Sequence, residues 1–288
     1  MNQPKFRRSL GATAAALGIS LFASTASAAV NFTPGDLLMG FQSTGGIGAG
    51  NVYVYNIGQA YTYRDNPALG FVANLNTDLA ATFGATWFSR TDLHWSIGGV
   101  RINDAFGANA NVVENGDPAR AFYTSKEASG IGTTLPNSVL ATANVNTTAT
   151  RMMDTQSGFR TSNTVIPREA TLSSNGNGVI QNVGDINSWS SRVPVTTGGI
   201  APWTTISFTV HANFGTNTPL VYQDLYRTLS DNNNLPGVAE PAPRGTFVYQ
   251  TTLTMDSLGN LNAVPEPSVT LLGGLLTGAA LLRRRRSL

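Results

Sequence analysis

Two histidines, sixteen carboxylates and four tryptophans are the residues of this 288-residue chain best equipped for chemistry, and cysteine is absent. Without a thiol there is no cysteine nucleophile, no disulfide framework and no cysteine-ligated zinc or iron–sulfur site. Asp92-Leu93-His94-Trp95 sets a carboxylate two residues from an imidazole, a spacing that puts both on one face of a strand. Such a pair could supply a base with its orienting acid, and serines are plentiful for a triad. No Gly-x-Ser-x-Gly elbow occurs, so structural histidines are the plainer reading of His94 and His211. A zinc site would need both of them plus carboxylates from distant segments, and no metal or cofactor is expected. A glycosidase pair could hide among the carboxylates, but nothing in one sequence picks it out. Ser230-Asp231-Asn232-Asn233-Asn234 offers oxygen ligands without the alternating spacing of a calcium loop, and reads as a polar turn.

Gly45-Gly46-Ile47-Gly48-Ala49-Gly50 has the look of a phosphate-binding loop, but that mechanism needs a helix N-terminus directly after the glycines. A strand pattern follows instead, so a hairpin turn is expected. Trp87, Trp95, Trp189 and Trp203, with Tyr53, Tyr55, Tyr61 and Tyr63, could stack on sugar rings. The competing reading is that strand aromatics fill a core.

The elements that would position these groups are mainly strands. Ile206–Val210 alternates apolar and polar, and in Thr246–Met255 the side chains of Phe247, Tyr249, Leu253 and Met255 are expected on one face. Val52-Tyr53-Val54-Tyr55 is apolar or aromatic on both faces, as in a central strand covered on both sides. Further strands are expected at 36–41, 69–75, 86–89, 94–97, 121–124, 179–183, 188–193 and 220–226, separated by Gly, Asn, Asp, Ser and Pro clusters. Only Thr77–Phe83 offers a short helix, capped by Thr77 or Asp78. Residues 125–187, rich in Thr, Asn, Ser and Gly, read as long loops and edge hairpins. The expected fold is all-β, a sandwich or jelly roll over residues 29–263.

Charged side chains make up 12% of the chain, against roughly a quarter in average soluble proteins. The formal net charge is +2, but seven of the eighteen basic groups sit at the extreme ends: Lys5, Arg7, Arg8 and Arg283, Arg284, Arg285, Arg286. Residues 29–267 keep eleven basic groups against all sixteen acidic ones, a net of −5. That balance argues against nucleic acid as a partner.

Residues 1–28 have the layout of a secretory signal peptide: a basic start, an apolar stretch, and Ala26-Ser27-Ala28 before a cleavage expected between Ala28 and Ala29. At the other end, Val264-Pro265-Glu266-Pro267-Ser268 leads into an uncharged segment reaching Leu282, and then the four arginines. Fifteen helical residues, 268–282, would span about 22 Å of a hydrocarbon core roughly 30 Å thick, a marginal transmembrane helix. Arg283–Arg286 would mark the cytoplasmic side and leave the body outside the inner membrane.

This order, with Pro265, Glu266 and Pro267 ahead of a short apolar helix and a terminal arginine cluster, resembles the PEP-CTERM sorting signal, over 264–288. The resemblance implies processing by an exosortase, an integral membrane cysteine transpeptidase-like enzyme, in a bacterium that makes exopolysaccharide. It also implies a transient stay in the inner membrane, then delivery to the cell envelope or extracellular matrix, where the exopolysaccharide is itself a candidate partner. The opening Phe32–Phe41 is similar to the start of β-rich ectodomains that carry this tail, which implies a fold and no activity. The leading expectation is an exported, non-catalytic surface or matrix protein. The alternatives are a lectin-like matrix protein and a secreted polysaccharide hydrolase or lyase.

Overall fold

Alternation of apolar residues on both sides of the same strands decides the architecture. The computed structural model describes residues 31–101, 112–134, 139–161, 165–166, 177–195, 203, 206, 209–215, 219–229 and 235–265. In chain order the first half holds β1 (Asp36–Ser43), β2 (Asn51–Gln59), α1 (Ala60–Asp65), β3 (Gly70–Asn74), α2 (Asn76–Phe83) and β4 (Leu93–Val100). Then come β5 (Val113–Glu114), β6 (Asp117–Pro118), β7 (Phe122–Ala128), α3 (Thr142–Arg160), β8 (Val165–Ile166) and β9 (Gly178–Asn182). The last elements are α4 (Trp189–Arg192), β10 (Ala212–Asn213), β11 (Leu220–Thr228), β12 (Phe247–Asp256) and β13 (Asn260–Val264).

The chain is mostly β, and its strands form one curled antiparallel sheet in the order β3-β13-β12-β11-β7-β4-β1-β2-β9-β8, with β10 paired to β4. The two-residue strands β5 and β6 form a separate hairpin. The expected sandwich of two sheets is replaced by two apolar layers on one sheet. Leu37, Met39, Phe41, Tyr53 and Tyr55 face one core, while Leu38, Val52 and Val54 face the other. The both-faces reading of Val52–Tyr55 therefore holds. Helix α1 touches both β2 and β12 although four strands lie between them, so the first core sits inside the curl. Irregular pairing at Leu37/Leu38, Leu225/Tyr226 and Leu261/Asn262 adds local twist that helps the sheet bend.

One irregularity overturns the expected face of β12. Leu225 stands opposite Thr251 but Tyr226 opposite Tyr249, so Gln250 is an extra residue and the alternation changes phase there. Leu253 and Met255 enter the inner core, while Phe247 and Tyr249 pack on the outer one. Two expected strands are helical turns. Residues 87–89 form a 3-10 turn, and Ser188 caps α4 by accepting a hydrogen bond from the Ser191 amide at 3.3 Å. Of the expected strand Ile206–Val210, the described residues Ile206, Thr209 and Val210 lie outside any strand. Helix α2 forms as expected, but Leu75 occupies its cap position and no side chain caps it; Asp78 lies in its first turn and accepts from the Tyr53 hydroxyl at 2.5 Å.

The largest departure is α3, nineteen residues inside the segment expected to be loops. Its stripe of Val145, Ala149, Met152 and Phe159 is buried on the outer core. Helix-weak threonines are accommodated because Thr147, Thr150 and Thr155 return their hydroxyls to carbonyls four residues earlier, at 2.9–3.0 Å. Gln156 reaches from α3 to the carbonyls of Asp36 and Val100, both at 3.1 Å, tying the helix to β1 and β4. Among the described residues no helix is long and apolar enough to cross a membrane. The expected signal segment, with Ala28 and Ala29, and the expected transmembrane helix lie outside the described residues.

Candidate functional site

The four tryptophans are all within the folded interior, at most 1% exposed, and none turns a ring face to solvent. Sugar stacking on Trp87, Trp95, Trp189 or Trp203 loses its physical basis, because a stacking platform must be open on one side. Trp87 and Trp95 join Phe41 and Phe214 in the inner core, with Trp87 edge-on to Phe214 at 5.2 Å. Trp189 and Trp203 meet edge to face at 5.5 Å on the outer layer. They lie over a floor of small residues on neighbouring strands, Gly40, Ser96 and Gly98. A Cβ at Gly40 would come within 2.2 Å of the Trp189 ring, and one at Gly98 within 2.4 Å of Trp203. The Trp189 indole donates to the Ser96 hydroxyl at 3.1 Å.

The glycine run is the hairpin between β1 and β2, as its following strand pattern implies. Arg90 holds it from below, donating to the carbonyls of Ile47 at 2.7 Å and Gly45 at 2.6 Å while pairing with Asp92 at 2.7 Å. The hydrogen bond from Arg90 is the main cause that holds the Asp92 carboxyl down at about 2, with a further contribution from Ser43. Asp92 is thus committed to the hairpin clamp and not to orienting His94. His94 lies half-buried on β4 opposite Asn213, and burial lowers its pKa although the Asn213 side chain opposes this. The ring of His211 is 6.4 Å away, and burial pushes it down to about 3, with the charge of His94 adding to the effect. Among the described residues no group of three or more His, Cys, Asp or Glu side chains could hold a metal ion. The turn at 230–234 lies outside the described residues.

A cleft opens where the sheet splits. Strands β4 and β7 pair through Gly98–Val100 and Phe122–Thr124, then diverge, and the segment 209–213 enters the gap. The Thr209 carbonyl accepts from the Glu127 amide at 3.1 Å, and the Val210 carbonyl accepts from the Ser125 hydroxyl at 2.9 Å. Gln223, fully buried, braces the split by donating to Trp95 at 2.8 Å and Val210 at 3.1 Å. Beside this wedge lies a cavity of about 480 Å³ with Leu220 and Val221 as apolar wall and Glu127, Thr133, Asn213 and Tyr222 as polar lining. Burial raises the pKa of Glu127. The loop carrying Thr133 is fixed by Asp224, which accepts from the Thr134 and Thr252 hydroxyls, each at 2.5 Å, and from the Thr134 amide at 3.0 Å. The cleft can offer a carboxylate, an amide, a hydroxyl and an aromatic ring to a polar ligand.

No family model, curated protein or solved structure matches the chain. The lining of the cleft comes from residues more than 80 positions apart, and no sequence motif joins Glu127 to Asn213. The same is true of a second cluster missed in the sequence. Asp117 accepts from Arg64 at 3.0 Å, from Arg227 at 2.7 Å and from the Tyr123 hydroxyl at 3.0 Å, all deep in the fold. The carbonyls of Gly116 and Ala239 take further Arg227 donors at 2.9 and 2.7 Å, so this is a structural clasp on the loop before β12. Of the sorting residues, Pro265 follows β13 directly and is exposed, whereas Glu266, Pro267 and Arg283–Arg286 lie outside the described residues.

Proposed function

We propose that the protein is an exported, non-catalytic cell-surface or extracellular-matrix protein, sorted by an exosortase through its C-terminal tail. The observation that carries this reading is the order of three features: Pro265-Glu266-Pro267, the uncharged segment 268–282, and Arg283–Arg286. A marginal span with a cationic stop suits temporary anchoring with the body outside the membrane. Two features of the body favour a structural role. Its tryptophans serve packing, Asp92 is held by Arg90, and His211 is buried away from solvent. Fractionation of the producing bacterium tests the reading, with the full chain compared to one ending at Pro265 so that β13 stays intact. The full chain should reach the envelope or medium, and the shortened chain should be misplaced. Identical placement of the two would overturn the sorting claim.

A second reading, binding of a neutral sugar polymer, is favoured by the cleft at the split in the sheet. Glu127 and Asn213 there can accept and donate hydrogen bonds to hydroxyls, and Tyr222 offers a ring beside them. Retention on the host's own exopolysaccharide, lost in Glu127→Gln and Tyr222→Ala, is the expected result. Equal retention of the wild type and both variants would remove the cleft from consideration.

A further inference from the structure

The sorting tail leaves the body with almost no slack. Strand β13 is paired with β12 to its last residue, Val264 opposite Thr252, and with β3 as far as Ala263, which stands opposite Gly70 and Leu253. The Thr251 hydroxyl also lies 3.0 Å from the Val264 carbonyl. Only Pro265, Glu266 and Pro267 separate this pinned residue from the uncharged segment that begins at Ser268. Three residues at full extension reach about 10 Å. The headgroup layer on one side of a bilayer takes up roughly 5–8 Å of that distance. A body anchored by this tail would therefore rest against the membrane, with the end of β13 facing it. An enzyme that grips an extended segment needs several residues of free chain, about 3.3 Å apiece.

Resting on the exosortase reading above, we propose that β13 must peel from its neighbours before the tail can be processed, so that opening of this strand sets the rate. Releasing Asn262, Ala263 and Val264 would add about 10 Å of free chain. Leu261, fully buried in the inner core, is the natural stop for such peeling. Strand β13 also lies one strand in from an edge of the sheet. β3 is an edge strand of five residues whose strand partner is β13, and its pairing is already irregular at Leu261/Asn262. Segments of this kind open well below the free energy of global unfolding.

Two variants of the full chain, followed by pulse-labelling in the producing bacterium, test the proposal. Ten Gly/Ser residues inserted between Val264 and Pro265 supply the slack without touching the fold, and should speed tail removal about tenfold. Thr254→Cys with Asn262→Cys places two thiols opposite one another, in a chain that has no other cysteine to compete. Its oxidised form should be processed at least about tenfold more slowly, and reduction should restore the rate. Wild-type processing with both variants unchanged would overturn the peeling step and leave the sorting reading standing. A wild-type tail that is never removed would overturn both.

Discussion

Gly40→Ala is the most informative single change in the fold. A Cβ at this position would lie 2.2–2.3 Å from Cε2, Cδ2 and Nε1 of Trp189, where ordinary contact is 3.4–4 Å. The indole would have to retreat by more than 1 Å. It has little freedom to do so, because its N–H is bonded to Ser96, its edge meets Trp203 and its backbone amide donates to Gln181 at 2.8 Å. Overpacking of this kind costs about 1–3 kcal/mol, and loss of the buried indole hydrogen bond adds about 1 kcal/mol. Against this, alanine is favoured over glycine within a strand by roughly 0.5–1 kcal/mol. The net expectation is about 1–3.5 kcal/mol of destabilisation, read as a lower midpoint in urea unfolding of residues 29–265 followed by circular dichroism. In a Trp189→Leu background the obstruction is gone, and Gly40→Ala should become neutral or slightly stabilising. Equal costs in the two backgrounds, or a cost below about 0.5 kcal/mol in the wild type, would refute the contact between the ring and the glycine floor.

His211 makes stability fall as the medium becomes acidic. Its folded-state pKa of about 3 lies below the unfolded value of 6.5, so the unfolded chain takes up the proton first. The stabilisation is complete above pH 6.5 and is lost as pH falls toward 3. Between pH 7.5 and pH 5 the loss is about 2 kcal/mol. Urea midpoints at those two pH values should separate less in His211→Asn than in the wild type, and equal separation would contradict the assignment. Asp117→Asn removes the carboxylate shared by Arg64 and Arg227; Arg64 keeps Asp65, but the fully buried Arg227 is left against carbonyls alone, a cost of about 3–5 kcal/mol. The variant should accumulate poorly and unfold at much lower urea, and near-wild-type stability would show the clasp to be incidental.

Periodicity made the strands legible where burial is regular: β2, β4, β11 and most of β12 lie where alternation or two-sided apolarity predicts them. The glycine hairpin was legible for the same reason, since the strand after it excluded a phosphate loop. What alternation cannot reveal is a change of phase. The extra residue at Gln250 sends Phe247 and Leu253 to opposite faces, although their spacing alone puts them together. Helix α3 was hidden by composition: Asn144–Thr148 is weak in helix propensity, and the apolar stripe of Val145, Ala149, Met152 and Phe159 is thin. Gly40 inside one expected strand and Gly98 directly after another carry the signal for a close approach, and they mark where two tryptophans lie. The cleft at Glu127 and Asn213 was not legible, because it exists only where β4 and β7 part.

Charge also changes meaning along the chain. The basic groups that give +2 cluster at the two ends, and the stretch between them is acidic by five charges. The surface presented after export would be that of the acidic body. The mass of the protein recovered from the envelope or medium of its producing bacterium tests the sorting account most directly. The account predicts a chain that has lost Arg283–Arg286 and the uncharged segment before them, ending near Pro265-Glu266-Pro267. An intact C-terminus at Leu288 on the delivered protein would contradict it.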